Sequence, residues 1–66
     1  MIYTIERRYE FVNTAMAPER HYEVRSYTGR TPIGVLTGGK TLKKAKTMDG
    51  IEKYLRKTGI QAEKLF

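Results

Sequence analysis

From Ile2 to Val12 the chain alternates, with Tyr3, Ile5, Tyr9 and Phe11 on one side, interrupted by Arg7, and Thr4, Glu6, Arg8 and Glu10 on the other. A period of two in a run rich in β-branched and aromatic residues predicts a half-buried strand. Asn13 to Arg20, with Pro18 inside it, reads as a connecting loop. A second alternation places Tyr22, Val24 and Ser26 on one face and His21, Glu23, Arg25 and Tyr27 on the other, ending at Gly29 with Pro32 marking a turn. Ile33 to Thr37 is a third, shorter candidate strand.

After Gly38-Gly39 the period changes. Leu42, Ala45, Met48, Ile51 and Leu55 recur at helical spacing, which predicts one apolar stripe on a helix from about Leu42 to Thr58. Thr41 is the expected N-cap, Gly59 the terminator, and Arg56 and Lys57 suit the negative end of the helix dipole. Gly50 in the helix interior is expected to weaken it by about 1 kcal/mol relative to alanine. The expected fold is α+β: a three-stranded antiparallel meander followed by one C-terminal helix packed on the sheet, forming a single domain over residues 1–66. The tail Ile60 to Phe66 either covers a sheet edge or sits in a partner.

Length limits this fold. A chain of 66 residues buries only about 60% of the surface that its unfolded form exposes. It has no cysteine, and His21 is its one histidine, so neither a disulfide nor a zinc staple is expected. Self-association as a homodimer is the remaining source of added stability. No run approaches a membrane span, and Met1-Ile2-Tyr3-Thr4-Ile5-Glu6 lacks the order of a signal peptide, so a cytoplasmic, non-membrane protein is expected.

Thirteen Lys and Arg against seven Asp and Glu give a net charge of +6, which favours polyanionic partners. The excess is uneven. Residues 1–34 hold five Arg against four Glu, whereas residues 35–66 hold seven Lys and one Arg against one Asp and two Glu. On the expected helix, Lys43, Lys46, Lys53 and Lys57 fall within about 80° of one another, opposite the apolar stripe. Only Asp49 and Glu52 lie within the helix to pair with them. Lys40, Lys43 and Lys44 also lie near its expected N-terminus, where backbone N–H groups favour anions. The solvent face of the sheet, with Glu6, Glu10 and Glu23 against Arg8 and Arg25, offers no such excess.

Gly34-Val35-Leu36-Thr37-Gly38-Gly39-Lys40-Thr41 satisfies the phosphate-loop pattern G-x-x-x-x-G-K-[ST] between an expected strand and helix. Nucleotide hydrolysis is nevertheless not expected, because the chain is too short for the parallel sheet of that fold and Asp49, its only aspartate, lies within the helix. A Gly-Gly turn before a capped helix is the plainer reading. Ser26, His21 and Asp49 have the letters of a triad without any pattern behind them. No catalytic residue, metal ligand or cofactor is expected. Tyr27 on the open face is expected to pack across strands rather than to stack on a base.

The run Gly39-Lys40-Thr41-Leu42-Lys43-Lys44-Ala45-Lys46, entering a helix after three antiparallel strands, resembles the second half of the double-stranded-RNA-binding domain over residues 33–55. The resemblance implies that Thr41 caps the helix, that Lys43 and Lys46 contact phosphates and that Ala45 packs on the sheet. That family's first helix has no counterpart, because the first strand begins at Ile2. The strand order is also similar to the arm-binding domain of tyrosine recombinases and to the plant ethylene-response DNA-binding domain, which use the outer sheet face. A chain of this size also resembles small phage-encoded proteins that bind and block a host protein. The expected function is that of a small basic protein contacting the phosphate backbone of a DNA or RNA duplex through Lys40, Lys43, Lys44, Lys46, Lys53 and Lys57. The alternative is a protein-binding inhibitor or adaptor without catalysis.

Overall fold

The computed structural model describes residues 1–10 and 19–66. Among them the chain forms β1 (Ile2–Glu10), β2 (Glu19–Tyr27), β3 (Gly29–Arg30), β4 (Leu36–Thr37), β5 (Lys40–Ala45), α1 (Met48–Thr58) and β6 (Glu63–Lys64). Four strands build a mixed sheet in the order β5-β2-β1-β6, and β3 pairs with β4 in a separate small hairpin. The fold is α+β, but it has more strands than the three-stranded meander expected, and its helix lies in mid-chain rather than at the C-terminal end.

The two long alternations pair as expected. β1 and β2 run antiparallel in an unbroken register from Ile2↔Tyr27 to Glu10↔Glu19, so each strand presents one residue set to α1 and the other away from it. Glu19 and Arg20, expected in the loop, open β2 instead. Phe11, Val12 and the segment Asn13 to Pro18 lie outside the described residues.

The third strand is corrected. Of Ile33 to Thr37 only Leu36 and Thr37 join a ladder, and that ladder is the small hairpin. The Gly34 N–H donates to the Thr31 carbonyl at 2.9 Å, and this turn leaves Ile33 87% exposed. The strand that joins the main sheet is β5, within the segment expected to begin the helix. Its register explains the misleading spacing: Thr41 opposes Arg25 and Lys43 opposes Val24, so Leu42 is the extra residue of a β-bulge. Inserting one residue into a period of two separates Leu42 from Ala45 by three, which imitates a helical turn. Both still pack on the core, but from a strand.

The helix therefore starts six residues later than expected. Thr47, not Thr41, is the N-cap, and its side chain accepts a hydrogen bond from the Gly50 N–H at 3.5 Å. Gly50 sits in the first turn rather than the interior, where a Cβ would lie 2.9 Å from the Cβ of Ala45. The absent side chain lets α1 start close against β5. Gly59 ends the helix as expected, with φ of 73° and its N–H donating to the Leu55 carbonyl at 2.8 Å.

Ile5, Val24 and Ile51 form the buried centre, surrounded by Tyr22, Leu42, Ala45, Met48, Tyr54, Leu55 and Ala62. The helix carries the chain from β5 at one edge to β6 at the other. There Glu63 and Lys64 pair parallel with Thr4 and Ile5, and the Leu65 N–H donates to the Ile5 carbonyl at 3.0 Å. Of the two uses expected for the tail, the structure shows edge covering. No helix among the described residues is long and apolar enough to cross a membrane.

Candidate nucleic-acid interface

The six lysines singled out by sequence do not share a helix face. Lys40, Lys43 and Lys44 are on β5, Lys46 follows it, and only Lys53 and Lys57 are on α1. The expected lysine-rich helix stripe is thereby replaced by a two-element arrangement. Strand β5 and the flank of α1 enclose an open groove of about 380 Å³, lined by Lys43 and Lys44 from the strand and Lys53, Tyr54 and Lys57 from the helix. Its floor contains Ala45 and Gly50, the same two residues whose close contact seats the helix.

The bulge places Lys43 there, because it turns Lys43 to the side on which Val24 meets the core. On the helix, spacing of about 100° per residue puts Lys53 and Lys57 some 40° apart on the flank facing β5. Among the described residues, Lys43, Lys53 and Lys57 form no ion pair. Lys44 is at the rim, with its Nζ 4.0 Å from Glu10 Oε1. Lys46 lines a different depression, beside Glu10, Glu19 and His21. Lys40 opposes Ser26 at the start of β5, away from the groove. Tyr54 was not anticipated; its spacing of four from Gly50 and three from Lys57, which puts all three on one helix flank, was the available signal.

The face of the sheet turned away from α1 has the opposite character. Glu6 and Glu23 stand directly across from each other on β1 and β2. Glu6 accepts from Thr4 and Arg8, both at 2.9 Å, and from the Tyr27 phenol. Glu23, which is buried, accepts from Thr41 at 2.8 Å and Arg25 at 3.4 Å, and its Oε2 lies 2.8 Å from His21 Nε2. Burial pushes both carboxyls up, but these hydrogen bonds and the charge of Arg8 outweigh it, leaving both below the ordinary carboxylate value. Tyr27 is thus engaged through its hydroxyl, and the Arg25 guanidinium lies 5.7 Å from its ring centroid.

Alternation along the unbroken β1–β2 register also puts Glu10 and Glu19 on this outer face. With Glu63, which opposes Thr4 on β6, five of the seven acidic residues of the chain share it. The side carrying α1 receives only Tyr3, Ile5, Arg7 and Tyr9 from β1 and Arg20, Tyr22, Val24 and Ser26 from β2. The acidic residues of these strands are confined to the outer face, which also holds Arg8 and Arg25, whereas Arg7 and Arg20 stand on the α1 side without a carboxylate from either strand, an asymmetry that the even balance of residues 1–34 hides.

The phosphate-loop pattern does not form a phosphate loop here. Gly34 closes the hairpin turn, and Lys40 and Thr41 lead into a strand rather than a helix. Thr41 caps no helix; its hydroxyl bridges Arg25 and Glu23. Among the described residues no group of three or more His, Asp or Glu is arranged to hold a metal ion. No protein-family model matches the chain, and neither a curated protein nor a solved structure matches it significantly.

Proposed function

We propose that this protein binds the phosphate backbone of nucleic acid through the β5–α1 groove, without catalysis. Lys43, Lys53 and Lys57 supply the central contacts, Lys44 flanks them, and Lys40 and Lys46 add longer-range attraction. The observation that supports this reading is the convergence of Lys43, Lys53 and Lys57 from two elements on one open groove, with no carboxylate among the described residues pairing them. A lysine serving only solubility has no need of such convergence. Phosphates meeting Lys43, Lys53 and Lys57 gain contacts without displacing an internal ion pair, and the counterions they release drive binding.

The test is the salt dependence of affinity for a nucleic-acid duplex. Lys53→Gln with Lys57→Gln is expected to flatten the slope of log affinity against log salt by about 1 to 2, because each lost phosphate contact removes roughly 0.7 to 0.9. Arg30→Gln, a charge change on the β3–β4 hairpin, is expected to leave the slope unchanged. Absence of binding to any nucleic acid at low salt would refute the proposal.

A second reading, a small inhibitor or adaptor acting on a host protein, draws on the exposed Ile33 and Val35 at the hairpin tip. Pull-downs with and without nuclease separate the two. Partners that persist after nuclease favour the adaptor, and partners that disappear favour the groove.

A further inference from the structure

The α1 side of the sheet is not fully covered by the helix. Beyond the core, at the end of β1 and β2 remote from Ile2 and Tyr27, it carries Arg7 and Tyr9 from β1 opposite Tyr22 and Arg20 from β2. The tail that follows β6 brings Phe66 onto the same patch, with its ring centroid 5.5 Å from that of Tyr22 and the planes tilted by 42°. The Arg7 guanidinium lies between two rings, 5.9 Å from the centroid of Tyr9 and 5.3 Å from that of Phe66. Lys64 Nζ, two residues earlier on β6, lies 4.8 Å from the Phe66 centroid.

Three rings and three cations thus alternate on one surface, and none of the sheet residues around them on this side is acidic. Tyr9 and Phe66 remain open, at 55% and 40% exposed, whereas Tyr22 packs partly against the core. The patch is also continuous with the lysine groove: Tyr22 is the cross-strand partner of Ala45, and Ala45 is in the groove floor.

We propose that this surface is a stacking platform for the unpaired bases of a single-stranded nucleic acid, whose backbone continues into the lysine groove. This rests on the phosphate-binding reading and adds the strand class. Bases take the places of Arg7 and Lys64 over the rings of Tyr9 and Phe66, and the displaced cations, with Arg20, meet the intervening phosphates. Duplex bases are already stacked and hidden, so a duplex reaches the lysines but cannot use the rings. Stacking is sequence-tolerant, which gives preference for single strands without base reading.

The experiment compares binding of an oligothymidylate of about 16 nucleotides with binding of a duplex of the same length, at several salt concentrations. Quenching of tyrosine emission adds a direct readout of stacking, as the chain has five tyrosines and no tryptophan. The single strand is expected to bind more tightly and to quench emission. Tyr9→Ala and Phe66→Leu are each expected to weaken oligothymidylate binding about 5- to 150-fold, the range for one lost base stack, while leaving duplex affinity and both salt slopes nearly unchanged. Tyr9→Phe, which keeps the ring, restores the affinity, and thermal melts verify that each variant is folded. Equal affinity for the two forms, or ring removal without effect on the single strand, overturns the platform while leaving lysine-dependent duplex binding intact. Loss of affinity for both forms in wild-type protein overturns the phosphate reading as well.

Discussion

Glu6 and Glu23 oppose each other across β1 and β2, and a like-charged pair in that position repels unless cations and donors surround it. Arg8 spans both, with Nη2 2.9 Å from Glu6 Oε1 and Nε 3.7 Å from Glu23 Oε2. Arg25, Thr41, His21 and Tyr27 complete the ring. The outer face of the sheet is therefore a polar layer paired largely within itself, with Arg25 Nε, 3.9 Å from Glu6 Oε2, its buried atom that lacks a hydrogen-bond partner among the described residues.

Acid is expected to destabilise the fold through this layer. Both carboxyls have folded pKa values lowered from an ordinary 4.5, so the unfolded chain takes up protons first as pH falls. Their contribution is fully present well above pH 4.5 and is lost as pH drops through the lowered folded values. Thermal melts from neutral to acidic pH should show the midpoint falling below about pH 4.5. Glu23→Gln should lower stability at neutral pH and reduce the remaining acid sensitivity. An unaltered pH profile in that variant would remove Glu23 from the explanation.

Gly50→Ala is expected to destabilise, against helix propensity, which alone favours alanine by about 1 kcal/mol. The added Cβ meets the Cβ of Ala45 at 2.9 Å, and neither backbone can withdraw without opening the α1–β5 contact. A double-mutant cycle with Ala45→Gly should return a favourable coupling of about 1 kcal/mol or more. Additive effects would mean that the two elements are less closely seated.

Deleting Ile60 to Phe66 should cost on the order of 2 kcal/mol, a large share of what so small a domain possesses. The deletion removes Ala62 from the core margin and the β6 ladder from β1. It also frees an edge strand, so concentration-dependent association is expected in sedimentation or light scattering. A truncated protein with unchanged melting and no association would show that β6 contributes nothing to the fold.

What the sequence determined by itself was everything that depends on local repetition. The period-two runs around Ile5 and Val24 specified two strands and their faces, because a long alternation, even with Arg7 on its apolar side, has one way to bury most of that side. Gly59, Arg56 and Lys57 marked the helix end by short-range chemistry. The stripe Leu42, Ala45, Met48, Ile51 and Leu55 correctly named residues that reach the core.

Tertiary pairing decided the rest. Whether Leu42 and Ala45 approach the core from a helix or a strand is invisible in their spacing, since a bulged strand and a helix turn both separate them by three; the free edge of β2 chose the strand. That choice moved the helix cap from Thr41 to Thr47 and divided the lysines between two elements. Neither the groove of Lys43, Lys53 and Lys57 nor the cluster of Arg7, Tyr9, Tyr22 and Phe66 has a local signature. Each is assembled from segments far apart in the chain, and only the folding of the tail along β1 brings Phe66 to Tyr22.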